Sequence, residues 1–140
     1  MIEADKAVFN LVKFTVPKFA YNKSGHEQTP PLKLEFNPSG VYYPKLGRFD
    51  LKIEFSGFMK GAKRSPIIKM TTIAEFKFTV NTSLEDFPAY FYPNSIAIVF
   101  PYLRAFISTL TMQSNTGVIM LGLINFTSMA EPLRNNIIVR

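Results

Sequence analysis

The stretch FDLKIEFSGFMKGAKRSPIIKMTTIAEFKFTV, residues 49–80, contains the clearest pattern in this sequence of 140 residues. Apolar side chains occupy every second position at its start, and they are Phe49, Leu51, Ile53 and Phe55. This alternation predicts a strand with one buried and one solvated face, as in an antiparallel sheet. Gly61 predicts a turn, and residues 68–80 repeat the alternation. The stretch is therefore predicted to form a β-hairpin.

Two further strands are predicted upstream of this hairpin. Residues 7–16 are apolar on one face and half apolar on the other, which indicates contacts on both sides, and Pro17 either ends that strand or places it at the edge of the sheet. Residues 32–36 alternate and are followed by a predicted turn at residues 37–40. The segment between the two strands, residues 18–31, is predicted to be a long loop, and long loops are often functional.

A helix is predicted to begin with Asn94 or Ser95 as its N-cap and to end at residues 114–117, with Pro101 as a kink or as its true start. This helix is apolar almost all round, and one sheet of a domain of this size covers only one side. We therefore predict that five of its residues form a seam between subunits: Ile96, Phe100, Leu103, Ile107 and Leu110. A short last helix is predicted to begin at Ser128 or at Pro132.

Composition restricts the class of protein. The sequence has no cysteine, which excludes disulfides and fits a reducing compartment, so we predict a cytoplasmic protein. No window reaches the roughly 18 uninterrupted apolar residues of a membrane span, so no span is predicted. The net charge is +6, but Lys60, Lys63 and Arg64 form the only tight basic cluster. We therefore interpret the charge as favouring solubility, and predict no specific nucleic-acid site.

Catalytic chemistry is not indicated by the sequence. The single histidine, His26, lies in the predicted loop, and a lone loop histidine is usually solvated. Nucleotide-binding loops and serine nucleophile elbows are missing, and the acidic residues are scattered. The sequence therefore predicts a protein that is not an enzyme and that needs neither a cofactor nor a metal ion.

An ordered set of short motifs runs through the second half of the sequence. Its members are Ala89-Tyr90, Pro93-Asn94, Phe100-Pro101-Tyr102, Arg104, Ile107 and Asn125-Phe126. A weaker set precedes it and consists of Phe14, Pro17 and the run Leu32-Lys33-Leu34-Glu35. In this order the motifs resemble the SecB family of bacterial export chaperones, including relatives linked to toxin–antitoxin systems. The interval from Asn94 to Phe100 is longer than the family pattern.

The resemblance implies both an architecture and a function. The implied fold is α+β, a single domain over residues 1–140 with a four-stranded antiparallel Greek-key sheet, one long helix and one short C-terminal helix. The implied assembly is a homotetramer, a dimer of dimers with the long helices inside. The implied function is that of an ATP-independent holdase for unfolded polypeptides. The family's acidic surface for the SecA ATPase is not evident here, which argues against SecA as a partner.

Fourteen phenylalanines and six tyrosines exceed what a small core needs, so some are expected to line an oligomer interface or a binding groove. The residues predicted for a polypeptide-binding groove are Phe19, Tyr21, Tyr42, Tyr43, Phe76, Phe78, Leu121, Leu123 and Met129. For Phe76 and Phe78 an ordinary core position is an equal alternative. Two other functions stay open, a carrier of small apolar ligands and a basic nucleic-acid-binding module. The second predicts binding that weakens steeply with salt.

Overall fold

A five-stranded sheet with one long helix on one face forms the body of the protein. The computed structural model describes residues 8–22, 32–59, 66–122 and 124–140. The strands are β1 Phe9–Tyr21, β2 Leu32–Tyr43, β3 Arg48–Met59, β4 Ile68–Phe78 and β5 Ile137–Val139. The helices are α1 Phe91–Gln113 and α2 Ala130–Arg134, with short 3-10 turns at Pro44–Leu46, Leu84–Asp86 and Thr127–Met129.

The strand order is β1-β4-β3-β2-β5. The first four strands pair antiparallel. A long connection separates β1 from β2, and β1 pairs with β4, which is the predicted Greek-key arrangement. The prediction of four strands was wrong, because β5 pairs in parallel with β2 and makes the sheet five-stranded and mixed. β5 has only three residues, too few for a period of two to be recognised.

The predicted hairpin is confirmed by the pairing of β3 with β4. The alternate residues from Phe49 to Phe55 are at most 2% exposed, and the core-facing residues from Ile68 to Phe78 are equally buried. Val80 continues the sequence pattern but lies beyond the strand and is 50% exposed. The alternation therefore predicted the buried face of both strands correctly.

Strand β1 is longer than predicted and contains two irregularities. It continues through Pro17 to Tyr21, and one extra residue interrupts its pairing with β4 at Val12 and another between Thr15 and Lys18. Each bulge changes which residues face the core, because the side-chain alternation moves by one position. The core-side residues are consequently Phe9, Leu11, Phe14, Val16, Phe19 and Tyr21. Val12, which strict alternation would place on the apolar face of the strand, is 56% exposed.

The predicted turn at residues 37–40 lies inside β2. Gly40 donates its N–H to the carbonyl oxygen of Asn136, on the side away from β3. Pro38 precedes it by two residues, so its nitrogen faces the same way and no hydrogen bond to β3 is lost. The Phe49 ring approaches the backbone of Gly40 so closely that a Cβ atom there would clash with it. This position therefore requires glycine. Both turn-forming residues therefore have strand roles.

Helix α1 begins at Phe91, earlier than predicted, and runs through Pro101. Phe91 is fully buried and its ring lies 4.8–5.8 Å from those of five other phenylalanines: Phe9, Phe49, Phe76, Phe78 and Phe87. Much of the aromatic content that the sequence suggested for a groove therefore fills the core. By length and composition α1 could also span a membrane, but the core helix of a folded domain meets the same criterion.

The predicted subunit seam is wrong for four of its five residues. Ile96, Phe100, Leu103 and Ile107 are at most 5% exposed and pack against the sheet of their own chain, and Leu110 is half-buried. A helix that is apolar all round gives no sequence indication of which face meets its own sheet. The exposed apolar residues of α1 lie on other faces, and they are Ile98, Tyr102 and Met112.

Candidate functional site

Four of the residues predicted to line a groove belong to the core. Phe76 and Tyr42 are fully buried, Phe78 is 2% exposed and Leu121 is 7% exposed. The Tyr42 hydroxyl donates a 2.5 Å hydrogen bond to the carbonyl oxygen of Thr82, and burial raises the pKa of this phenol. These side chains are closed to a ligand, so their assignment to a groove is corrected. For Phe76 and Phe78 the core alternative was the right one.

The other predicted residues are accessible but are not gathered in one place. Phe19 is half exposed beside Phe106, and the Tyr21 hydroxyl shares a 2.6 Å hydrogen bond with Thr116. Tyr43 lies on the opposite face of the sheet, under the Arg48 guanidinium. Met129 packs at the edge of the core near α2, and Leu123 lies outside the described residues. These residues therefore do not form a single predicted groove.

A first open apolar surface runs between β1 and α1, and we call it the β1–α1 strip. It consists of Phe14, Phe19, Ile98, Tyr102 and Phe106. The ring of Phe14 lies 5.6 Å from that of Tyr102, and the ring of Phe19 lies 5.2 Å from that of Phe106. Helix α1 contains one charged residue, Arg104, so the strip is apolar along several helical turns.

A second half-buried apolar surface lies on the other side of α1, and we call it the β2 surface. Its half-buried members are Leu32, Leu34 and Phe36 of β2, Arg104 of α1, and Ile124, Phe126 and Met129 of the C-terminal segment (residues 124–129), together with the buried ring of Phe100. The ring of Phe100 connects the three parts, because it lies 6.2 Å from Phe36 and 5.0 Å from Phe126. Three chain segments thus converge on one aromatic cluster.

The β2 surface borders an open strand edge. β5 covers β2 only at Gly40–Tyr42, and no other described residues pair with the outer edge of the preceding part of β2. Gly40 directs its N–H outwards, and the pairing with β3 is regular throughout, so Leu32, Leu34 and Phe36 also direct their N–H groups outwards. Apolar side chains therefore lie beside main-chain groups that no described strand pairs with.

The direction of the elements places Arg104 within this surface. α1 runs the same way as β1, since Phe9 contacts Phe91 and Phe14 contacts Tyr102, whereas β2 runs the opposite way. One turn beyond Phe100, α1 therefore passes the part of β2 that precedes Phe36. The Arg104 guanidinium lies 5.8 Å from the Phe100 ring centre, a cation–π distance.

Sequence reasoning missed Phe36 and Phe126 as surface residues. Phe36 looked like an ordinary strand residue because its alternation gives no indication that α1 and the C-terminal segment leave it half-buried. An indication for Phe126 was present in the motif Asn125-Phe126. The structure brings that motif against Phe100 of Phe100-Pro101-Tyr102, so two separate motifs of the resemblance meet in one cluster.

Comparison with known proteins gives matches at the level of structure only. No protein-family model and no curated protein sequence matches the chain. A SecB-like chaperone of Mycobacterium tuberculosis, solved in complex with a ChAD peptide from the HigA1 antitoxin, matches with a TM-score of 0.63. The two chains are 15% identical, and the match covers 83% of this chain and 90% of that one.

A second match is a protein of unknown function from Streptococcus agalactiae. Its TM-score is 0.52 at 11% identity, and the match covers 82% of this chain and 97% of that one. Both matches span nearly the whole of the other chain, so the likeness extends over the sheet and the helices together. The chain therefore has a SecB-like fold, as the motifs in its sequence predicted.

Proposed function

We propose that this protein is an ATP-independent holdase of the cytoplasm, which binds extended segments of non-native polypeptide at the β2 surface. The observation that carries the proposal is the open edge of β2 beside a half-buried aromatic cluster. Apolar burial is non-directional, and strand edges bind main-chain groups of any sequence. Together they suit a protein that must accept many clients without an energy source.

The structural neighbour supports this proposal. The Mycobacterium tuberculosis protein is a SecB-like chaperone described with an antitoxin peptide, and such a peptide is one example of the proposed kind of client. We accordingly propose a binding protein rather than an enzyme. Among the described residues, no group of three His, Cys, Asp or Glu side chains is arranged to hold a metal ion.

The proposal does not extend to SecA. On the outer face of the sheet, Arg48 pairs with Asp50 at 2.9 Å and with Glu75 at 3.3 Å, and Lys52 lies 3.4 Å from Glu54. Acidic and basic side chains therefore alternate there and partly neutralise one another. A surface of this kind lacks the concentrated negative charge that the family resemblance would require for docking on the ATPase.

A refolding experiment tests the proposed function. A denatured client is diluted into buffer with a molar excess of the protein and without nucleotide, and recovery of the client's activity is followed. We expect recovery to be delayed, because bound segments are withheld from folding. Unchanged recovery at molar excess would contradict the proposal.

We also propose that the β1–α1 strip is the contact between subunits in a homotetramer. The strip is apolar and half exposed in the single chain, and exposed apolar surfaces of this extent usually mark interaction sites. It replaces the seam predicted from the sequence, whose residues face inwards. The assembly then still places the long helices in its interior, as the resemblance implied.

The assembly proposal predicts the effect of a charge within the strip. Tyr102→Glu is expected to reduce the solution mass from that of a tetramer towards that of a dimer or monomer, because a buried unpaired carboxylate costs several kcal/mol. Val80→Glu is the matched control, since Tyr102 and Val80 are 51% and 50% exposed and Val80 lies outside the strip. Light scattering coupled to size exclusion measures the mass. An unchanged mass for Tyr102→Glu would contradict the proposal, and a wild-type monomer that retains lipid would favour an apolar-ligand carrier.

A further inference from the structure

Arg104 is the only charged residue of α1, and its position within the β2 surface is unusual. The side chain is half-buried, and its guanidinium lies 5.8 Å from the centre of the Phe100 ring. No carboxylate among the described residues forms an ion pair with it, whereas Arg48 and Arg134 each have an acidic neighbour within 3.5 Å. The described part of the chain thus leaves this cation without a counter-charge.

A half-buried cation beside an apolar surface favours a particular kind of ligand. Arginine presents a planar fork of N–H donors that matches a carboxylate in two parallel hydrogen bonds. Because the Arg104 side chain is half-buried beside the Phe100 ring, such a pair is expected to be stronger than one on an open surface. The net charge of +6 adds attraction for an acidic segment from a distance.

The strand edge determines where the acid would lie. A peptide that adds to the edge of β2 as a strand directs alternate side chains to the same face as Leu34 and Phe36. Those side chains meet Phe36, Phe126 and Arg104, and the intervening side chains point to the opposite face of the sheet. In such a peptide, the apolar residues and one acidic residue would therefore occupy every second position, so that all of them face the β2 surface.

We propose that Arg104 makes the β2 surface selective for extended polypeptide segments in which every second residue is apolar except for one aspartate or glutamate among these alternate positions. This inference rests on the proposed function and names the class of client segment. A holdase that relied on burial alone would accept the acidic and the neutral version of a segment equally. Arg104 adds a difference between them, and with it a preference among clients.

Binding of paired peptides tests the selectivity. The probe is a short fluorescein-labelled peptide in which leucine and phenylalanine alternate with threonine. One alternate apolar position at a time is replaced by glutamate in one series and by glutamine in the other. Fluorescence anisotropy gives the dissociation constants. For at least one position, we expect the wild type to bind the glutamate peptide about fivefold to tenfold more tightly than its glutamine partner, as for a partly desolvated ion pair.

Three variants test whether the Arg104 side chain causes this difference in affinity between the glutamate and glutamine peptides. Arg104→Gln is expected to bind both series equally, and Arg104→Lys is expected to retain part of the difference because the charge remains. Lys77→Gln is the control, since it removes the same charge from the exposed outer face of the sheet and should keep the full preference. Thermal unfolding of each variant confirms that it is folded.

The outcomes separate this inference from the proposed function. If Arg104→Gln still prefers the glutamate peptide, or if the wild type never does, the selectivity of Arg104 is refuted. In both cases the proposed holdase function still stands, because the protein binds the peptides. If neither series binds to the wild type at all, both the selectivity and the proposed function are refuted.

Discussion

Replacing Phe91 by alanine is expected to lower the free energy of unfolding by about 3–5 kcal/mol, the usual range for removing a buried aromatic ring. Phe91 is fully buried where α1 meets the sheet, and its ring touches those of residues from β1, β3 and β4. These neighbours are held by their own strands, so they cannot move in to fill the space. The cavity therefore persists, and the whole sheet–helix contact weakens.

The neighbouring residue provides the control for this prediction. Tyr90 is 51% exposed and its ring lies 6.3 Å from that of Phe9, so Tyr90→Ala is expected to cost less than about 1 kcal/mol. Urea unfolding measures the free energy of unfolding of both variants. The protein concentration is kept the same, because subunit assembly makes the measured stability depend on concentration. Equal losses for the two variants would contradict the packing described for Phe91.

Replacing Phe126 by serine is expected to weaken binding of an unfolded polypeptide about tenfold, which corresponds to about 1.4 kcal/mol. Phe126 is half-buried against Phe100, so part of its ring is available to a client. Burying the remaining apolar area of such a ring is worth roughly this amount at about 25 cal/mol per Å². Serine removes that area and leaves the main chain of the segment unchanged.

Met120 offers a matched control just before the C-terminal segment. It is 78% exposed and is not part of the β2 surface, so Met120→Ser should leave affinity within about twofold of the wild type. Affinity is measured with a reduced, permanently unfolded client labelled for fluorescence anisotropy. Thermal unfolding shows whether Phe126→Ser is still folded under the conditions of the assay. If a folded Phe126→Ser variant binds as tightly as Met120→Ser, the β2 surface is not the binding site.

The fold was predictable where a single periodicity held. Strands β3 and β4 keep strict alternation because one of their faces is solvated, and each buried position followed from it. Strand β1 departs because its two bulges reset the alternation, and only the second, which contains Pro17, is marked by a residue in the sequence. In β2, Pro38 and Gly40 favoured a turn, but the open edge tolerates the proline and the Phe49 ring requires the glycine.

The candidate site was less predictable, since it depends on which side of α1 meets the sheet. That helix is apolar on all sides, so the sequence does not distinguish the residues that face the sheet from those that could contact another subunit. Only the packing shows that Tyr102 lies on the outside. Tyr42 illustrates the same difficulty, because an aromatic residue after a predicted turn looked exposed. In the fold it is a strand residue whose hydroxyl is satisfied by Thr82. Phe126 came closest to being predicted, through the motif that contains it.

Amide-resolved hydrogen exchange along β2 tests the central claim most directly. The N–H groups of Leu34 and Phe36 face the open edge, whereas those of Glu35 and Asn37 face β3. In the free protein the first pair should exchange quickly and the second pair slowly. With a saturating unfolded client, we predict strong protection of Leu34 and Phe36 and little change at Glu35 and Asn37. If a saturating client leaves the exchange of Leu34 and Phe36 unaltered, polypeptide does not bind at the edge of β2.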